Sequence, residues 1–119
     1  MDIDFIKWMI SYAEGFRFGK RKSHDQWSIY FDDSNVFECT ALEAISHFVK
    51  NDHYIILLQR AIEGINKFED YDIIQTRSNV SVFRYAKNQE PKHFELEPTK
   101  EDEAKEQALK YIYKQEQIK

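Results

Sequence analysis

The spacing of apolar residues changes period along this chain, and that change constrains the fold more than any single motif. From residue 3 to 13 the apolar positions Ile3, Phe5, Ile6, Met9, Ile10 and Ala13 recur at helical spacing. From 27 to 31 the pattern switches: Trp27, Ile29 and Phe31 alternate with Ser28 and Tyr30, the period of a strand. Helical spacing returns with Ile55, Leu58, Ile62 and Ile65, widened by Ile56, Leu57 and Ala61. It gives way again at "YDIIQTRSNVSVFRYA", two β-rich runs around Arg77, Ser78 and Asn79. A chain that alternates this way must cover sheet with helix. The expectation is an α+β fold in which about four helices pack on a small antiparallel sheet, as a single domain over residues 1–119.

Local chemistry sets the expected boundaries. Asp2 or Asp4 suits the start of the first helix, and Gly15 suits its exit, with Phe16 folding back onto the last turn. A loop is expected from 17 to 25. Asp32, Asp33, Ser34 and Asn35 read as a turn, with 36–38 as the returning strand. "TALE" matches a capping box, Thr40 with Glu43, opening a helix to about Lys50. Asp52 then caps a second helix over 53–67; one bent helix over 41–67 is the alternative. Gly64 would cost that helix about 1 kcal/mol against Ala. Asn79 is placed to adopt the left-handed turn conformation. "HFELEP" reads as one more short strand. Thr99 caps a last helix with Ala104, Ala108, Tyr111 and Ile112 on one stripe and Leu109 alongside. Lys105, Glu106, Lys110 and Lys114 are expected in solvent, and residues 115–119 are expected to fray.

Composition narrows the function classes. Cys39 is the lone cysteine, so no disulfide forms within the chain and a reducing compartment is expected. Seventeen basic and 21 acidic residues give a net charge of −4, which supplies no global attraction to nucleic acid or anionic lipid. The aliphatic run at 55–58 is far too short to span a bilayer. The first five residues carry two aspartates and no basic region, so a signal peptide is not expected. A cytoplasmic protein without membrane contact follows from these readings.

Catalytic patterns are sparse. His24, His47, His53 and His93 are scattered, and no zinc-type spacing occurs, so neither metal nor cofactor is expected. Cys39 precedes a helix start, which lowers a thiol pKa, but no neighbouring histidine or glycine-rich loop accompanies it. The paired acids at 32–33, 69–72 and 101–103 sit where turns and first helical turns want them. No catalytic residue is assigned, and a small hydrolase or nuclease is the least favoured class.

Two surfaces stand out. Arg17, Lys20, Arg21 and Lys22 bring four cations close to Phe16, Phe18 and Trp27, a composition suited to nucleic acid. The plainer reading is a solvated loop. Trp8 and Tyr12 lie off the main stripe of the first helix and suit a protein contact, because aromatic side chains are enriched in interfaces. Packing against the sheet explains them equally well.

Three segments, "KWMISYAEGF", "LLQRAIEGIN" and "EAKEQALKYIYKQEQ", resemble a group of small proteins encoded by phages and prophages of Gram-positive bacteria. The matching words describe helix faces and helix exits, so the resemblance implies origin and size class and transfers no active site. Together with an aromatic surplus, nine Phe, seven Tyr and two Trp, it leads to the expectation of a non-enzymatic accessory protein in the bacterial host cytoplasm. Such a protein would bind a host or phage protein, with self-association as a second outcome of the same surface. A nucleic-acid-associated protein using the basic segment 17–22 is the alternative.

Overall fold

A computed structural model describes residues 3–20, 27–39, 47–84, 89–96 and 101–117. In chain order the elements are α1 (Ile3–Tyr12), β1 (Phe16–Lys20), β2 (Trp27–Phe31), β3 (Ser34–Cys39), α2 (Asp52–Phe68), β4 (Asp72–Gln75), β5 (Asn79–Phe83), β6 (Lys92–Glu95) and α3 (Glu101–Gln117). The fold is α+β, with two three-stranded antiparallel sheets, β1-β2-β3 and β4-β5-β6. Chain contacts divide it into two compact units, Met1–Ala61 and Ile62–Lys119. Among the described residues there are three α-helices, not about four. Residues 40–46, which carry the capping box, lie outside the described residues, and 47–50 form a single 3₁₀ turn.

In the first unit, α1 buries the expected stripe of Phe5, Ile6, Met9 and Ile10, with Ala13 just beyond. The helix ends as a glycine exit should. Ala13 N–H reaches the carbonyls of Met9 and Ile10, and Gly15 takes φ +89°. Phe16 is buried against the ring of Phe31, 4.7 Å between centroids. Arg60 of α2 covers this exit, its guanidinium 3.4 Å from the Glu14 carbonyl.

The expected loop over 17–25 begins instead as strand β1, and residues 21–26 lie outside the described residues. The physical reason is period two: Phe16 and Phe18 turn to the core, while Arg17 turns to the other face. β1 pairs with β2 from Phe16↔Phe31 to Lys20↔Trp27, and β2 pairs with β3 across a bulge at Ile29/Tyr30. Asp32 and Asp33 make the two-residue turn between β2 and β3, both at positive φ (48° and 66°). Asn51, not Asp52, caps α2: its Oδ1 accepts the His53 N–H at 2.9 Å. The Asn51 amide also donates to the Val36 carbonyl at 3.0 Å, tying the helix start to β3.

In the second unit, the β4–β5 hairpin forms where the sequence places it, but Asn79 is not left-handed. Asn79 opens β5, and the Thr76 hydroxyl accepts the N–H groups of both Ser78 and Asn79. Ile73 and Val82 face each other across the hairpin, and Val80 pairs with Phe94 of β6. That face meets α3, where Ala104, Ala108, Leu109 and Ile112 are buried and Phe94 touches Tyr111. Lys105, expected in solvent, is only 8% exposed. α3 continues through Gln117, because Gln115 and Glu116 accept hydrogen bonds from the Tyr71 hydroxyl. No described helix is long and apolar enough to cross a membrane.

Candidate functional site

The sequence-predicted residues of the first unit fall on two sides of one sheet. α1 lies on the side that Phe16 and Phe18 face. There Trp8 and Tyr12, four residues apart and half-buried, meet edge to face with ring centroids 5.5 Å apart. Trp8 also stacks on Phe5 at 6.1 Å. Toward the β1–β2 end of the same side, Phe18 and Trp27 lie 4.6 Å apart, and Lys7 of α1 extends its ammonium over both rings, 4.4 Å from Trp27 and 5.5 Å from Phe18. Lys7 is exposed, so its ammonium covers the rings while staying at the surface.

Arg17 is on the opposite side. It is exposed, and its guanidinium lies 4.1 Å from the centroid of Tyr30, its cross-strand partner. Gly19 makes room for this stack: a β-carbon there would lie 3.3 Å from the Tyr30 ring and 3.7 Å from Arg17 Nη1. Lys20 is the last residue of β1. Arg21 and Lys22 lie outside the described residues. The sheet therefore separates Arg17 from the Trp8–Tyr12 pair. Lys7 and Tyr30, which complete these cation–aromatic contacts, have no sequence signal of their own. The F-R-F alternation at 16–18, which marks β1, was the signal that could have found them.

A shallow groove of about 510 Å³ opens where α2 begins, between Asn35 and Val36 on one side and Lys50, Asn51, Asp52 and His53 on the other. The Asn51 amide that lines it is committed to Val36, His53 and the helix cap.

The second unit holds two polar clusters. Arg84, 8% exposed, donates from Nε to Asp70 at 3.3 Å, approaches Glu116 at 3.9 Å and lies 4.7 Å from the Tyr71 ring centroid. Burial opposes its charge, but the Asp70 hydrogen bond and the carboxylate charges of Asp70 and Glu116 help outweigh burial and raise its pKa. Burial, and then the hydrogen bond to Glu116, pushes the Tyr71 hydroxyl above the ordinary tyrosine value, so it remains a neutral donor. The second cluster is on β5 and β6. Ser81 Oγ and His93 Nδ1, direct cross-strand neighbours, lie 2.6 Å apart, with Phe83 edge-on to the imidazole at 6.2 Å. Among the described residues no three His, Cys, Asp or Glu side chains converge where they could hold a metal ion.

No family model, curated protein or solved structure matches the chain.

Proposed function

We propose that the protein is a binding module, a phage- or prophage-type accessory protein that works by holding a protein partner without chemical turnover. The supporting observation is the Trp8–Tyr12 pair. Two large rings, each half-exposed, are ordered against one another on a single helix face. Ordering before contact lowers the entropy lost on binding, and aromatic side chains of this kind supply a large share of interface energy. The test is capture from a bacterial host lysate by the tagged protein, paired with sizing of the purified chain. Replacing Trp8 and Tyr12 together by Ser is expected to abolish a specific capture or a dimer. A monomer that retains no specific protein, or capture unaffected by the double replacement, overturns the reading.

The alternative, nucleic-acid binding through Arg17, Lys20, Arg21 and Lys22, draws support from the exposed guanidinium of Arg17, held over the Tyr30 ring. Replacing the four by Ser is expected to weaken binding to single-stranded DNA or RNA and to flatten its salt dependence. Unchanged affinity and slope reject it.

A further inference from the structure

The sheets leave four outer strands, and their edges are treated differently. Asn66 of α2 occupies both backbone groups of Ile73 on β4: its Nδ2 donates to the carbonyl at 3.1 Å, and its Oδ1 accepts the N–H at 2.7 Å. Asn51 takes the Val36 carbonyl on β3. β6 is four residues long, follows Pro91 and exposes Lys92, His93 and Glu95. Such caps, short lengths and charges are the usual means of preventing strand addition.

β1 has no such cap among the described residues. The bond from Asp32 N–H to the Gly15 carbonyl marks Gly15 and Asp32 as a hydrogen-bonded pair. By antiparallel alternation Arg17 and Gly19 then bond inward to β2, while the backbone groups of Phe16, Phe18 and Lys20 point outward. The Phe16 N–H is taken by the Ala13 carbonyl; the outward groups beyond it, beginning with the N–H and carbonyl of Phe18, have no backbone partner among the described residues. Within β1 itself the charge is of one sign, although the exposed acids Glu14 and Asp32 lie at its start. β1 contains Arg17 and Lys20 and no acid, Arg17 is exposed on one face, and Lys7 is exposed on the other. A second copy pairing β1 against β1 would bring these cations together with no acid on either strand.

We infer that the outer edge of β1 receives an extended acidic segment of the protein partner, which adds as a fourth strand. The inference rests on the binding-module reading and specifies its contact chemistry. Main-chain bonds to Phe18 supply the attachment, and carboxylates on the Arg17 face of the added strand supply the selectivity.

The test uses the full chain and a capped Glu-Val-Glu-Val-Glu-Val peptide. Its controls are a Lys-for-Glu version, a version N-methylated along one edge, and a single-stranded oligonucleotide. Titration followed by amide NMR is expected to shift and protect the Phe18 N–H with the acidic peptide, and binding is expected to fall at least about tenfold with either peptide control. Arg17→Glu, an exposed change, is expected to exchange the preference toward the Lys peptide. The inference is overturned if Phe18 N–H stays unperturbed at millimolar acidic peptide. Equal binding of the N-methylated peptide, or engagement of β1 by the oligonucleotide in place of the peptide, overturns it too. A lysate partner whose capture depends on Trp8 and Tyr12 but is indifferent to Arg17→Glu and to the competing acidic peptide would reject this edge while leaving the binding-module reading intact.

Discussion

Asn66 holds Ile73 by both of its backbone groups, at 3.1 and 2.7 Å, so a side-chain amide on α2 does for β4 what a neighbouring strand would do. The match is chemical: a carboxamide carries the same donor and acceptor as a peptide group. Ile73 is itself buried, which makes an unmade bond at this position costly.

Asn66→Ala should therefore destabilise the chain by about 1–3 kcal/mol, seen as a lower urea midpoint with an unchanged slope. Asn66→Asp should also destabilise, because it places a carboxylate oxygen against the Ile73 carbonyl. Both should raise light scattering on warming as the β4 edge opens.

The α1 exit and the β2–β3 turn should respond to glycine in opposite directions. Gly15→Ala puts a β-carbon 2.9 Å from Asp32 Oδ1 and 3.2 Å from Phe31 while forcing a non-glycine residue to φ +89°. A loss of more than about 1 kcal/mol is expected. Asp33→Gly relieves a left-handed aspartate at φ 66° beside another at 48°. A gain of up to about 1 kcal/mol is expected after the added chain entropy of glycine is subtracted. Thermal unfolding of the two variants checks the signs.

Tyr71 ties stability to alkaline pH. Its hydroxyl titrates above the ordinary value of 10.0 in the folded chain. Folded and unfolded forms are therefore equally protonated below about pH 9, and the folded form holds the extra proton above pH 10. The contribution is full at neutral pH and is lost as pH rises, by up to about 1.4 kcal/mol per unit above pH 10. Tyr71→Phe should lower stability at pH 7, where the bonds to Gln115 and Glu116 are lost, and should flatten the decline between pH 9 and about pH 11. Urea midpoints across that range, variant against parent, separate this residue from the other tyrosines.

Arg84→Ala should cost about 2–3 kcal/mol, less than a fully buried ion pair because Asp70 is 38% exposed and solvent already screens it. Arg84→Met should recover part of that loss, since the packing over Tyr71 returns while the charge does not. Adding Asp70→Asn to Arg84→Met should cost less than the sum of the two changes, the sign of coupled partners.

The elements readable in the sequence are those whose periodicity runs unbroken. α1 with its Gly15 exit, β2, α2 and the β4–β5 hairpin all follow from the spacing of a few apolar residues. β1 escaped because Gly19 and the cations around it look like loop chemistry, although Phe16 and Phe18 already alternate. The turn expected around Arg77, Ser78 and Asn79 forms, but Thr76 closes it, not a left-handed Asn79, which opens β5 instead. Asn66 is one polar residue on a helix face, and nothing local announces that it will reach a strand seven residues on. Arg84, Asp70, Tyr71 and Glu116 are equally silent, because the cluster exists only after α3 returns to the chain that follows α2. Trp8 and Tyr12 were legible as residues off the stripe; that they meet each other follows from helical geometry, while Lys7 over Trp27 requires the sheet.

Each sheet is a meander of consecutive strands, β1-β2-β3 and then β4-β5-β6. Among the described residues, no strand of the first sheet waits for a partner from the second half of the chain. During synthesis the earlier sheet can therefore assemble under α1 while later residues are still within the ribosome. Pairings this local keep the loop-closure cost small and favour a fast search. A polypeptide arranged in this order spends little time as an open strand in a crowded cell.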